Sequence, residues 1–246
     1  MSLYVLGDPH LSFGVDKPMD IFSGWGNHTE RIEKNWRSIV TDEDTVVLAG
    51  DISWGMSLKE TLPDFRFIDA LPGKKIILKG NHDYWWETKT KTDRFFAENG
   101  ISTISILNNN AYRIGDIAVC GTRGWYYDDE KSASKVLNRE AGRLKMSIEE
   151  GLKTGGEPVV FLHYPPVFDG KECPEMMNVL YEYNIKRCYY GHLHGRRISS
   201  HATTGYYNGI QFFLIACDYT QFNPLKVESG NLRFYIMKPI LHCMRS

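Results

Sequence analysis

The stretch KKIILKGNHD, residues 74–83, sets an apolar run directly against Gly, Asn, His and Asp. Read alone it is a short buried strand followed by a tight turn. The same ending recurs along the chain. YVLGDPH (4–10) closes on Asp8 and His10, and VVLAGD (46–51) closes on Asp51. VVFLH (159–163) closes on His163, and CYYGHLH (188–194) closes on His192 and His194. Five of the eight histidines therefore sit at the ends of apolar runs, with Asp8, Asp51, Asn81 and Asp83. Each ending alone is most simply a turn. Together they place ligand-type side chains at the carboxyl ends of strands, where open α/β sheets form their binding crevice.

Stretches with helical periodicity separate these runs. HTERIEKNWRSIV spaces Ile32, Trp36 and Ile39 for one helix face. SLKETLPDFRFIDAL reads as a helix broken at its proline, and KTKTDRFFAENG as a helix stopped at Gly100. ISTISIL, AYRIG and IAVCGT lie close together, which suggests antiparallel pairing. The tail segments IQFFLIACDY, KVESGN and LRFYIMK also read as antiparallel strands. The expected fold is α/β with a parallel sheet and a second, mixed one. No linker rich in Pro, Gly or Ser divides the chain, so residues 1–246 are expected to form a single domain.

Composition narrows the function classes. The net charge of −1 and the charged content of 24% advertise no nucleic-acid or anionic-membrane partner. The start, MSLYVLGDPH, lacks the pattern of a signal peptide, and the longest apolar run is far short of the roughly 20 residues that span a bilayer. A cytoplasmic protein is expected. Five cysteines without a C-x-x-C pair read as reduced thiols rather than a zinc site. Asp, Asn and His suit borderline metals such as Mn, Fe and Zn. About seven such side chains are too many for one tetrahedral ion and enough for two that share a carboxylate.

In their order, D-x-H (Asp8, His10), G-D (Gly50, Asp51), G-N-H-D (Gly80 to Asp83), His163 and G-H-x-H (Gly191 to His194) resemble the calcineurin-like metallophosphoesterase superfamily, in an uncharacterised bacterial branch. The resemblance implies two mixed β-sheets packed as a sandwich flanked by helices, a four-layer α-β-β-α fold. It implies one metal site of Asp8, His10, Asp51 and His194, and a second of Asp51, Asn81, His163 and His192, with Asp51 bridging. A metal-bridging hydroxide would attack phosphate mono- or diesters, and His82 would contact the phosphoryl group or assist the leaving group. The alternatives are a nuclease or cyclic-nucleotide phosphodiesterase and, in another class, a non-catalytic metal-binding scaffold. In the protein-phosphatase branch a second Asp and an Arg follow the G-D motif. Here Trp54 and Gly55 stand in those positions, which counts against protein serine/threonine phosphatase activity.

Several residues remain two-sided. Asp83 either steadies His82 or caps the following helix. Arg123 either replaces the missing phosphate-binding Arg or is a surface loop residue. Trp54, Tyr84, Trp85, Trp86, Trp125, Tyr126 and Tyr127 either wall a pocket for a flat group such as a nucleobase or pack at the sheet edge. The stretch GNHT (26–29) repeats three letters of the GNHD turn without a preceding strand. Asn27 and Glu30 have capping-box spacing, so it reads as a helix start, with His28 as a candidate substrate contact. The expected substrate is small and phosphorylated, nucleotides included, and long nucleic acid is disfavoured.

Overall fold

The structure is a computed structural model and describes residues 1–125 and 133–228. Its first half runs β1 (Leu3–Leu6), α1 (His28–Ile39), β2 (Thr45–Ala49), α2 (Leu58–Asp69), β3 (Lys74–Leu78), α3 (Lys89–Glu98) and β4 (Ile104–Ile106). The second half runs β5 (Tyr112–Ile114), β6 (Ile117–Thr122), α4 (Ala133–Lys153), β7 (Glu157–Leu162), the short ribbon β8 (Val167–Phe168) and β9 (Lys171–Glu172), and α5 (Pro174–Glu182). It continues through β10 (Arg187–Tyr190), α6 (Gly195–Ser199), β11 (Gly205–Tyr207), β12 (Ile210–Leu214) and β13 (Leu225–Val227).

Two mixed sheets result. The first has the order β13-β1-β2-β3-β4, antiparallel only where β13 meets β1. The second has the order β11-β12-β10-β7-β6-β5, with antiparallel pairs at its two edges. The period-two geometry of a strand explains why the central runs are apolar throughout. In β7, Val159 and Phe161 face the other sheet, while Val160 and Leu162 face helices. In β2, Val47 and Ala49 face the sandwich interior, while Val46 and Leu48 face α1 and α2. Helices cover both outer faces, giving the four-layer arrangement. No helix among the described residues is long and apolar enough to cross a membrane. The four described cysteines are buried and free, and burial pushes the Cys173 thiol up to about 11.

Four expectations change. The α2 helix runs unbroken through Pro63, because Thr61, Asp64, Phe65 and Ile68 keep one face docked against the first sheet. The β4 strand pairs parallel to β3 in the first sheet, and of the three segments ISTISIL, AYRIG and IAVCGT only the last two, β5 and β6, pair antiparallel. The β12 strand is antiparallel to β11 but parallel to β10, so the tail is not a simple meander. Helix α1 does begin at the GNHT turn (26–29), but Asn27 makes no side-chain cap bond and is left-handed, with φ 52°. The segment LRFYIMK lies outside the described residues, as do Tyr126 and Tyr127.

Candidate metal centre

Register brings the strand ends together. Leu6 lies opposite Leu48, and Ala49 opposite Leu78, so β1, β2 and β3 finish at one level. Leu162 lies opposite Tyr190 in the second sheet. The backbone then ties the two edges: Asp8 N–H donates to Gly50 C=O at 3.1 Å, Gly191 N–H to His163 C=O at 3.1 Å, and Gly7 N–H to Ile215 C=O at 2.8 Å. Two glycines permit the approach. A Cβ on Gly80 would sit 2.1 Å from the Asp51 carboxylate, and one on Gly191 would sit 2.4 Å from that of Asp8. Asp8, His10, Asp51 and His192 all have positive φ, between 46° and 71°. Left-handed backbone at non-glycine residues costs energy and concentrates at functional sites.

The polar side chains form two groups, Asp8 with His10 and His194, and Asp51 with His163 and His192. Within each group the donor atoms lie inside 4.8 Å of one another. His10 Nε2 is 3.2 Å from His194 Nε2, and His192 Nδ1 is 3.2 Å from His163 Nε2. Asn81 Oδ1 joins the second group, 2.6 Å from His163 Nε2 and 3.0 Å from His192 Nδ1. Asp51 Oδ2 stands between the groups, 3.6 Å from His10 Nε2 and 3.5 Å from His163 Nε2. Its other oxygen accepts the His82 amide N–H at 2.8 Å.

The electrostatics fit metal binding. Burial lifts the Asp8 carboxyl well above the ordinary range, with the charge of Asp51 adding to the effect, and burial also raises Asp51. Burial holds His163 and His192 down at about 3 and lowers His10 well below its usual value. His194 differs: burial acts to lower its imidazole, but the bond to Asp218 outweighs this and raises it. The neutral imidazoles of His10, His163 and His192, around carboxylates that are costly to leave unneutralised, are the donor state a divalent cation needs. Histidine and Asp/Asn oxygen donors match Mn, Fe or Zn chemistry. The residues present therefore fit a two-ion centre.

The remaining predicted site residues are placed unevenly. His82 joins neither ligand group; its ring lies 4.4 Å from that of Trp54, and its Nδ1 is buried without a partner. Trp54 also stacks on His10, at 5.1 Å and 22°. Tyr84 is exposed, 6.2 Å from His82. Asp83 neither steadies His82 nor caps α3, whose N-cap is Thr88. Its buried carboxylate instead accepts the N–H groups of Ile52, Ser53 and Gly80 and the Trp85 indole N–H, tying the GDIS loop to the GNHD turn. Trp85 is core, 1% exposed and edge-on to Phe65, which removes it as a substrate contact. His28 is buried between Trp25 and Phe222, touches the backbone of His10, and meets Trp25, whose ring also packs on His194. Arg123 packs over Trp125 at 4.5 Å and lies 3.7 Å from Glu140. Trp125 also packs against Tyr164.

Three neighbours went unpredicted. Trp25 stands edge-on to both His10 and His194, at 5.7 and 5.5 Å. Tyr164 lies 4.3 Å from the His192 ring. Asp218 accepts from His194 Nδ1 at 2.9 Å and from Gly195 N–H at 2.7 Å, which aims His194 Nε2 at the first group. Only the adjacency of Tyr164 to His163 is visible in sequence; Asp218 follows an apolar run, IAC, but has no motif around it.

A family model described as calcineurin-like phosphoesterase matches residues 1–196. A Mycobacterium phage L5 protein, the Gene 66 protein, is 41% identical over 56 residues. That stretch is 23% of this chain and 27% of the phage protein, so the match spans about a quarter of the relative's length. Among solved structures, the phosphopantetheinyl hydrolase of Mycobacterium tuberculosis superposes with a TM-score of 0.52 at 14% identity, covering 92% of this chain and 95% of that one. A protein of unknown function from Aquifex aeolicus superposes with a TM-score of 0.49 at 16% identity, covering the same shares.

Proposed function

The chain belongs to the calcineurin-like phosphoesterase family, and from that premise we propose that residues 1–246 act as one domain that hydrolyses phosphate esters at the paired Asp/His groups. Asp8, His10 and His194 would hold one ion and Asn81, His163 and His192 the other, with Asp51 shared. The observation that carries this reading is the position of Asp51 Oδ2, within 3.6 Å of a histidine nitrogen from each group. Two divalent ions in these sites would supply an acidified water and positive charge for the phosphoryl oxygens.

The chain's own residues do the rest. The His82 N–H held on Asp51 Oδ1 fixes that residue beside the centre. Its imidazole is packed by Trp54 rather than bonded to a carboxylate, so its position is set by shape. In the reaction the bond from phosphorus to the ester oxygen breaks, one from phosphorus to a water oxygen forms, and His82 gives a proton to the departing oxygen. The Asp218 carboxylate keeps the His194 proton on Nδ1, leaving Nε2 free to ligate. The substrate is a small phosphorylated molecule.

The test is direct. Protein supplied with Mn²⁺ is assayed for metal content and for release of nitrophenol from 4-nitrophenyl phosphate and bis(4-nitrophenyl) phosphate. Turnover of one or both with two ions per chain is expected. Two ions per chain and no turnover of either ester would overturn the reading.

A further inference from the structure

A cavity of about 350 Å³ opens between the end of β3, the end of β6 and α4. Three cations line it: Lys79, Arg123 and Arg143. Its inward carboxylate is Glu140, 1% exposed, and that residue is already engaged. Glu140 Oε2 accepts from Thr122 Oγ1 at 2.6 Å, while Oε1 takes Arg143 at 2.7 Å and lies 3.7 Å from Arg123. The other lining carboxylate, Glu87, is paired with Lys91 at 3.2 Å. Lys79 has no ion pair among the described residues, and Arg123 Nε is buried with no acceptor. Among the described residues the lining cations outnumber the carboxylates that face them, and half-buried cations are costly unless an anion completes the set. Guanidinium and ammonium groups on facing walls suit a phosphate or a carboxylate.

We propose that this cavity is an anion site for the phosphate or carboxylate of a small molecule, adjacent to the two Asp/His groups but separate from them. Adjacency follows from the chain. Lys79 precedes Gly80 and Asn81, and the Arg123 carbonyl accepts the N–H groups of His163 and Tyr164. The anion has two sources: a second charged group on the phosphoester, or a free anion acting on the enzyme. Only the first source rests on the phosphoesterase reading.

The binding arm uses the full chain freed of metal by chelator and titrated with orthophosphate by calorimetry, as wild type, Lys79→Met and Lys79→Met/Arg143→Gln. The expected result is saturable binding that weakens about tenfold in the single variant and further in the double, as for loss of charge-assisted hydrogen bonds. Equal binding in all three, or no binding to the folded wild type, overturns the proposal. The single variant changes one half-exposed side chain and keeps the test open if the double variant does not fold. The kinetic arm compares alkyl phosphates with ω-carboxyalkyl phosphates of equal length on the metal-loaded enzyme. A KM about tenfold lower for one carboxylated length, lost in Lys79→Met, supports the substrate as the source. No such advantage, with sulfate altering kcat for the plain ester in wild type but not in Lys79→Met, supports a free anion. Silence of every ester counts against the phosphoesterase reading, while the binding arm still decides the anion site.

Discussion

The turns Gly26-Asn27-His28 and Gly80-Asn81-His82 share three letters and nothing else. The second follows β3, and its Asn81 Oδ1 meets His163 and His192 while its His82 N–H meets Asp51. The first follows no strand. Its Asn27 turns left-handed to start α1, and its His28 is buried against Trp25 and Phe222. Identical side chains thus acquire different chemistry from the element before them. A strand that ends in register with two others delivers its turn to the centre, whereas a loop entering a helix delivers its turn to the core.

The sharpest way to break this contrast is at the glycines. In Gly80→Ala the new Cβ would lie 2.1 Å from Asp51 N and Oδ1, so the shared carboxylate must move. Loss of bound metal and a fall in turnover beyond 100-fold are expected, read by metal analysis and nitrophenyl phosphate hydrolysis. In Gly26→Ala the Cβ meets nothing within 4 Å, and stability should stay within about 0.5 kcal/mol in urea unfolding. Equal damage from both would show that the register argument is wrong.

The histidines come next. His82→Gln should cut turnover by roughly 10²–10⁴-fold while two ions per chain remain bound, since His82 is in neither ligand group. His28→Gln should leave turnover within a few-fold and lower the melting temperature, because it disturbs a buried aromatic contact. Metal loss in His82→Gln would instead make His82 a ligand.

How far such differences could be read from sequence depends on what positions a residue. Asp8, Asp51, Asn81, His163, His192 and His194 were legible because each ends a run that both buried faces force to be apolar, and polar residues there stand out. Asp218 was not, because its approach to His194 depends on β12 lying parallel to β10, a non-local pairing. The capping box at Asn27 misled because spacing specifies which atoms can meet, whereas the left-handed φ decides whether they do. Pro63 misled because proline cost is local, while the docking of Phe65 and Ile68 that outweighs it is tertiary. Trp85 and Asp83 looked like site residues through proximity alone; their own partners turn them into the support beneath the turn.

That support has a pH signature of smaller size. Ser53, on the loop that Asp83 grips, donates to Asp64, which also accepts the Phe13 N–H at 2.7 Å. Burial lifts the Asp64 carboxyl to about 6 from an ordinary value of 3.8. The folded state therefore keeps a proton that the unfolded chain releases between those values. The resulting stability is fully present below about pH 3.8 and is lost as the pH rises to about 6, by on the order of 2–3 kcal/mol. The Asp64→Asn variant lacks this dependence. The difference in unfolding free energy between wild type and variant, followed by urea denaturation from pH 4 to 7, should move in the variant's favour with rising pH. A flat difference would mean that Asp64 titrates normally.

The smallest effect tests the asparagines and isolates backbone from chemistry. Asn27 has φ 52° and no side-chain cap bond, so only its tolerance of left-handed backbone is in use. Glycine adopts that conformation freely, and Asn27→Gly should change stability by no more than about 0.5 kcal/mol, while Asn27→Ala should cost about 1 kcal/mol. At position 81 the ranking is set by the amide oxygen instead. Asn81→Gly removes the atom lying 2.6 Å from His163 Nε2, and Asn81→Asp retains an oxygen there. Metal content should therefore fall in Asn81→Gly and hold in Asn81→Asp, whereas at position 27 glycine is the benign change. If glycine proved equally benign at both positions, Asn81 would be a turn former like Asn27, and the second group would have to bind its ion through Asp51, His163 and His192 alone.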